Sequence, residues 1–374
     1  MSEEIIPFRI EIDQDSVENL HLRLDAARWP TELAGQGWTR GIPLTEMKEL
    51  AEYWREGYDW RAAEEHLNEY PQFTTEIDGQ RIHFLHVRSD QPDAKPLLIT
   101  HGYPSSVVEF QRLIDLLVNP DDGPAFHVVA PSLPGYAFSS PLSSAGWAMG
   151  RTAHAWVELM RRLGYERYGT HGGDVGAAIS GMIAGFDEEH VIGVHVVTDP
   201  FTAANVASFM PGMSDRLDKD DPVDKVLLDR MNEFRSEGSG YLAIQNSRPQ
   251  TIAYGLVDSP VMQLAWIAEK FEEWTDLPID RDQLLTNVSL YWFTGSGAGA
   301  AHTLYEQAHA SDWGAPTSVP RGFAIFGADA TVRRVVPAPP DAHWTEFERG
   351  RHFPAMEAPT QLAADLKLFF GSLT

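Results

Sequence analysis

Residues 168–179 read Tyr168-Gly169-Thr170-His171-Gly172-Gly173-Asp174-Val175-Gly176-Ala177-Ala178-Ile179. An apolar, strand-like approach runs into small residues around one acid, then into Ala-rich helical sequence. Gly172-Gly173-Asp174-Val175-Gly176 has the form G-x-nucleophile-x-G, a sharp strand-to-helix turn that presents one side chain at the end of a sheet. Side chains beside the central residue would obstruct so tight a turn, and glycine tolerates the strained backbone it needs. The plain alternative is a glycine-rich loop around an ordinary aspartate.

Working outward, the apolar runs fall into a β-α-β rhythm. Pro96-Leu97-Leu98-Ile99-Thr100 and Phe126-His127-Val128-Val129-Ala130 are short apolar runs typical of buried parallel strands, with helical sequence from 107 to 118 between them. A helix over 152–163 precedes the turn at Asp174. Val191-Ile192-Gly193-Val194-His195-Val196-Val197 is the next strand. After Asp199-Pro200 the rhythm breaks, and residues 201–314 carry helical and loop sequence with Met, Trp and charge interleaved, as an inserted lid would. Strand-like sequence returns at Gly322-Phe323-Ala324-Ile325-Phe326 and at 344–347, and a last helix covers 359–370.

On the N-terminal side, residues 8–12 alternate like a strand. Asp15-x-x-Glu18 reads as a capping box opening a helix, and further helices are expected over 45–56 and 60–70. Asp78-Gly79 marks a hairpin turn, followed by a strand over 82–87. His83 and His86 fall on opposite faces of that strand, which argues against a shared metal. The expected organisation is an N-terminal segment over 1–80, a first part of an α/β core over 81–200, the lid over 201–314 and a second part of the core over 315–374.

Composition narrows the possibilities. The chain has 374 residues, 43% of them hydrophobic, enough for a large core. A formal net charge of −25 argues against nucleic acid or an anionic membrane as partner. With no cysteine there is no disulfide or thiol chemistry. The N-terminus lacks the basic and apolar regions of a signal peptide, and no apolar run approaches the roughly 18 residues that span a bilayer. A cytoplasmic location is the default expectation, and a homodimer is left open.

An aspartate at such a turn has chemical content. A serine attacking an sp3 carbon, as in an epoxide or alkyl halide, would leave a stable ether. A carboxylate, already ionised at neutral pH, can open the electrophile and leave an ester whose carbonyl water can attack. Such a nucleophile needs an oxyanion hole, a base and an acid that orients the base, in the chain order nucleophile, acid, histidine. His352, in Gly350-Arg351-His352-Phe353-Pro354 before the last helix, is the expected base. The orienting acid is expected at Asp329, in Phe326-Gly327-Ala328-Asp329, with Asp199 at the end of the preceding strand as its rival. Thr100-His101-Gly102-Tyr103-Pro104 would supply the early loop, with the backbone N–H groups of Tyr103 and Val175 as oxyanion donors.

With these residues in view, the chain resembles the microsomal-type epoxide hydrolases, in a soluble bacterial form, over nearly its whole length. The resemblance is carried by Arg28-Trp29-Pro30, Tyr58-Asp59-Trp60-Arg61 and Tyr70-Pro71-Gln72-Phe73 near the N-terminus. His101-Gly102-Tyr103-Pro104, Pro131-Ser132-Leu133-Pro134-Gly135-Tyr136, the Asp174 motif and the segments around Asp329 and His352 continue it. It implies an α/β-hydrolase fold with a helical lid, a small apolar epoxide and water as reactants, no cofactor and no metal. It also implies two lid tyrosines, for which Tyr241 and Tyr305 are the best matches; Tyr254 and Tyr291 come too early for the second. Val175 departs from the tryptophan usual after the nucleophile, and Asp329 stands where many members have glutamate. Two rivals remain: a haloalkane dehalogenase with the same nucleophile, and a catalytically inactive binding protein.

Overall fold

Strands buried on both faces must be apolar along their length, and such runs form the middle of one nine-stranded sheet. The computed structural model describes residues 3–312, 314, 316–336 and 338–373. In chain order the strands are β1 (Ile6–Phe8), β2 (Gln72–Ile77), β3 (Gln80–Val87), β4 (Lys95–Thr100), β5 (Phe126–Pro131), β6 (Tyr168–Gly172), β7 (Val191–Thr198), β8 (Arg321–Phe326) and β9 (His343–Phe347). They lie side by side as β1-β2-β3-β5-β4-β6-β7-β8-β9. The pairings from β1 through β3 to β5 are antiparallel and those from β5 to β9 are parallel. Leu97–Ile99 and Val128–Ala130 are wholly buried, as a sheet covered by helices on both faces requires. This is an α/β-hydrolase fold.

Between β7 and β8 the chain is helical, and among the described residues no strand interrupts it from the helix Pro200–Phe209 to the helix Ser296–His309. The expected division at 200/201 falls in the first turn of the former, and Ala315, where the second core segment was expected to begin, lies outside the described residues, as do Met1 and Ser2. The division at 80/81 falls inside β3, whose hairpin with β2 turns on Asp78 (φ +51) and Gly79 (φ +74), the left-handed pair that a two-residue turn demands.

Three N-terminal details differ from expectation. The first strand is 6–8, where it pairs with β2, and not 8–12. The first helix, Gln14–Asp25, is capped by Asp13, whose carboxylate accepts the Ser16 N–H at 2.6 Å; Asp15 lies inside the first turn. The helix from Trp60 stops at Leu67 and not at Tyr70, and its C-cap Asn68 pairs through its side chain with both backbone groups of Ile10 at 2.9 Å. The segment also reaches the insertion: Trp54 Nε1 donates to Ser289 Oγ at 2.9 Å in a buried contact. Among the described residues no helix is long and apolar enough to cross a membrane.

The C-terminal helix, Pro359–Gly371, is tied beneath the sheet by a buried polar cluster. Asp365 pairs through Oδ2 with His195 Nε2 at 2.9 Å, and through Oδ1 with His343 Nε2 at 2.8 Å and Thr345 Oγ1 at 2.6 Å. Burial opposes the charge of Asp365, but these partners outweigh it and hold its carboxyl down to about 2. Replacing Asp365→Asn should therefore cost about 2–3 kcal/mol of stability, the usual loss for a buried hydrogen-bonded charge. Because the folded carboxyl is the more acidic, that contribution is present above the ordinary carboxylate range near pH ~4 and is lost as pH falls toward 2. Thermal melts of both proteins across the acid range should converge there.

Candidate active site

The turn after β6 is made by close backbone packing. A Cβ on Gly176 would lie 1.9 Å from the Thr100 carbonyl oxygen, and one on Gly102 would lie 2.4 Å from Asp174 Cβ. Glycine at both positions lets the helix Asp174–Phe186 start directly against the end of β4. Asp174 itself has φ +51, a conformation a non-glycine side chain adopts only when its surroundings enforce it. The Tyr103 N–H donates to Asp174 Oδ1 at 2.9 Å. Val175, next along, is in the first helical turn, whose N–H groups have no acceptor within the helix.

His352 stands opposite. Its Nε2 is 3.7 Å from Asp174 Oδ2 and makes no hydrogen bond, although the residue is 9% exposed. The loop that carries it is held by backbone contacts. His352 N–H donates to the Trp274 carbonyl at 3.1 Å, and the Glu357 carboxylate takes the N–H groups of Arg351 and Phe353 through one oxygen and those of Asp276 and Leu277 through the other. Trp274 lies edge-on to the imidazole at 5.0 Å.

The acid facing His352 is Asp199, which corrects the expectation of Asp329. Asp199 is wholly buried at the end of β7, where it caps the next helix by accepting the N–H groups of Phe201 and Thr202. Its Oδ2 is 3.7 Å from His352 Nδ1, and Thr202 Oγ1 fills the gap, donating to Asp199 at 2.5 Å and lying 2.8 Å from Nδ1. Asp329 instead accepts from Arg230 Nη1 at 2.7 Å and from Thr331. A guanidinium from the insertion has claimed it. Burial disfavours the imidazolium, but Asp199, Asp174 and Glu109 outweigh it and raise the His352 pKa above its ordinary value. Glu109 is itself pushed up to about 7, chiefly by burial, with Asp174 adding to the rise.

The two expected lid tyrosines are treated differently. Tyr241, on the helix Gly240–Gln245, stacks parallel on Tyr103 with centroids 5.8 Å apart and meets Trp274 at 5.5 Å. Burial first and the Asp174 charge second raise its hydroxyl well above the usual range. Tyr305 stacks on His309 at 4.0 Å, one turn along its own helix. Burial first, and the Asp174 charge after it, raise the hydroxyls of Tyr103, Tyr136, Tyr241 and Tyr291, and Tyr291 donates its hydroxyl to the Ser105 carbonyl. Thr202, Glu109 and Glu357 were not singled out from sequence. Asp199-Pro200-Phe201-Thr202 does show the cap and the proline of a helix start, which only the fold turns toward a histidine.

Fold and site define an α/β-hydrolase with an acid at its strand-to-helix turn. Residues 5–110 match the family described as "Epoxide hydrolase N terminus" and residues 95–291 the one described as "alpha/beta hydrolase fold". "Epoxide hydrolase 1" of Sus scrofa is 34% identical over 420 residues, covering 99% of this chain and 89% of that protein. Among solved structures, the juvenile hormone epoxide hydrolase of the silkworm Bombyx mori aligns with a TM-score of 0.81 at 30% identity, covering 98% of this chain and 93% of the other. The Aspergillus niger epoxide hydrolase aligns with a TM-score of 0.81 at 29% identity, covering 99% and 97%. The chain belongs to the epoxide hydrolase family.

The two aspartates are separable by experiment. Asp199→Asn should lower turnover about 100-fold or more, as loss of an orienting acid does. It should also move the acid limb of the rate profile to lower pH, because an anion that raised the His352 pKa is gone. Asp329→Asn should leave turnover within a few-fold and cost about 1 kcal/mol or less, the worth of a half-exposed ion pair. The reverse pattern would restore Asp329 as the acid.

Proposed function

We propose that this protein hydrolyses a small apolar epoxide to a vicinal diol through a covalent ester on Asp174. The observation that carries the reading is the Asp174 carboxylate held between the Tyr103 N–H at 2.9 Å and the unpartnered His352 Nε2 at 3.7 Å. One carboxylate oxygen attacks a ring carbon, the carbon–oxygen bond opens, and the oxygen takes a proton from Tyr241. Of the two lid tyrosines, Tyr241 stacks on Tyr103, whose N–H holds Asp174, and that contact supports giving the proton transfer to it.

In the second half-reaction His352 takes a proton from water, which attacks the Asp174 carboxyl carbon. Tyr103 and Val175 N–H groups stabilise the oxyanion. The ester carbon–oxygen bond breaks, the leaving oxygen takes the proton held by His352 and the diol departs. The Asp174 carboxylic acid gives its proton back to the Tyr241 phenolate. Asp199, through Thr202, holds the imidazole with Nε2 toward the ester. The chain's own residues and water carry each step.

Since water activation needs neutral imidazole, hydrolysis of the ester should slow as pH falls through the raised His352 pKa. His352→Gln should form the ester and fail to release it. After exposure to styrene oxide, intact mass should rise by the whole epoxide, and peptide mapping should place the gain on Asp174. A gain only from a bromoalkane, by the alkyl group after loss of bromide, would move the assignment to a dehalogenase. No gain from either, with a wild type inactive on a wider epoxide panel, would favour an inactive scaffold.

A further inference from the structure

The insertion buries a lysine beside the groups that react. Lys270, on the helix Pro260–Trp274, has a side chain only 7% exposed. Lysine is almost never so buried unless it is paired. Two glutamates of the same helix hold its ammonium, Glu269 Oε1 at 3.0 Å and Glu273 Oε2 at 2.7 Å. Their own side chains are 35% and 37% exposed. Neighbours on one helix pair readily at the surface, so pairing alone does not account for an ammonium drawn inward.

What it is drawn toward is aromatic. Lys270 Nζ lies 5.1 Å from the centroid of the Tyr241 ring and 5.7 Å from that of Trp274. The two rings meet each other at 5.5 Å, and Trp274 lies edge-on to His352. Tyr241 is also stacked on Tyr103, whose N–H holds Asp174. Tyr241 therefore touches both the cation and the residue that holds the nucleophile. A neutral ring attracts a cation only through its quadrupole, whereas a phenolate attracts it as a full charge.

As the epoxide opens, the bond from Asp174 to carbon forms, the carbon–oxygen bond breaks, and the Tyr241 proton goes to the freed oxygen. A phenolate is left until Asp174 returns a proton. Burial first, then Asp174, Tyr103, Glu273 and Tyr136, oppose that charge. An interaction that strengthens as the charge develops lowers the barrier, while one equally strong beforehand does not. We propose that Lys270 is a positioning residue for ring opening: its ammonium, held beside the Tyr241 ring, stabilises the phenolate left when Tyr241 gives up its proton. The inference rests on the reading of Tyr241 as proton donor and adds the group that favours its ionisation.

Propylene oxide and its trifluoromethyl analogue are close in size, but the fluorines stabilise the freed alkoxide, which then needs its proton less. Diol formation from each gives kcat/KM values for the wild type and for Lys270→Met, Lys270→Gln and Lys270→Arg, with thermal melts confirming that the variants fold. Met keeps the length of the chain, and Gln keeps donors for the glutamates; both lose the charge. Each should lower kcat/KM for propylene oxide about tenfold and for the trifluoromethyl analogue by less. Lys270→Arg, which keeps the cation, should retain the wild-type ratio between the two substrates. An equal loss on both substrates, no loss on either, or a Gln variant that behaves as the wild type would overturn the role of Lys270 and leave the hydrolase reading intact. Tyr241→Phe should shift the ratio in the same direction; an unchanged ratio there would overturn Tyr241 as donor, and this inference with it. No diol from either substrate with the wild type would overturn the hydrolase reading itself.

Discussion

The site depends on a steric constraint where two backbones touch. The helix that begins at Asp174 starts so close to β4 that Gly176 meets the Thr100 carbonyl with no room for a Cβ, and Gly102 meets Asp174 in the same way. That contact presses the loop after β4 against the nucleophile, so the Tyr103 N–H points at the Asp174 carboxylate without help from any side chain. It also sustains the left-handed backbone of Asp174, a conformation costing of order 1 kcal/mol that a less constrained aspartate would relax.

Around that carboxylate the protein concentrates negative charge and balances it on one imidazole. Asp174, Asp199 and Glu109 all act on His352, and their attraction exceeds the penalty of burying an imidazolium. Burial first, and repulsion from Asp174 after it, push the Glu109 carboxyl up to about 7. Burial disfavours the charge of Asp199 too, but His352 beside it, then Thr202 and backbone N–H groups, outweigh that and keep its carboxyl below the ordinary value. Asp329, at the end of the adjacent strand, has a guanidinium of its own and serves to tie the core to the insertion.

The insertion completes the site from the other side, and the N-terminal segment supports it. The helix Pro260–Trp274 brings Trp274 against His352 and buries Lys270 between Glu269 and Glu273, with its ammonium over the Tyr241 ring at 5.1 Å. Trp54 and Tyr58, from the first 60 residues, reach Ser289 and Thr286 of the insertion. Glu357 then joins the histidine loop to the end of that helix through four backbone N–H groups.

By itself the sequence determined what local chemistry can state. The strand runs around 96–100 and 126–130, the glycines flanking Asp174, the Asp78-Gly79 turn and the loop of His352 are all short-range signals, and each appears where its pattern put it. Tertiary structure alone decided which of two well-placed aspartates meets His352. Both Asp199 and Asp329 end parallel strands, and sequence carries no measure of where Arg230 or Thr202 will fall. It likewise decided that the Tyr241 ring lies on Tyr103, whose N–H holds the nucleophile, since the facing of its helix depends on packing across the insertion. Thr202 and His352 lie 150 residues apart; such a pairing is set by how helices seat on a sheet, and local pattern does not contain that distance.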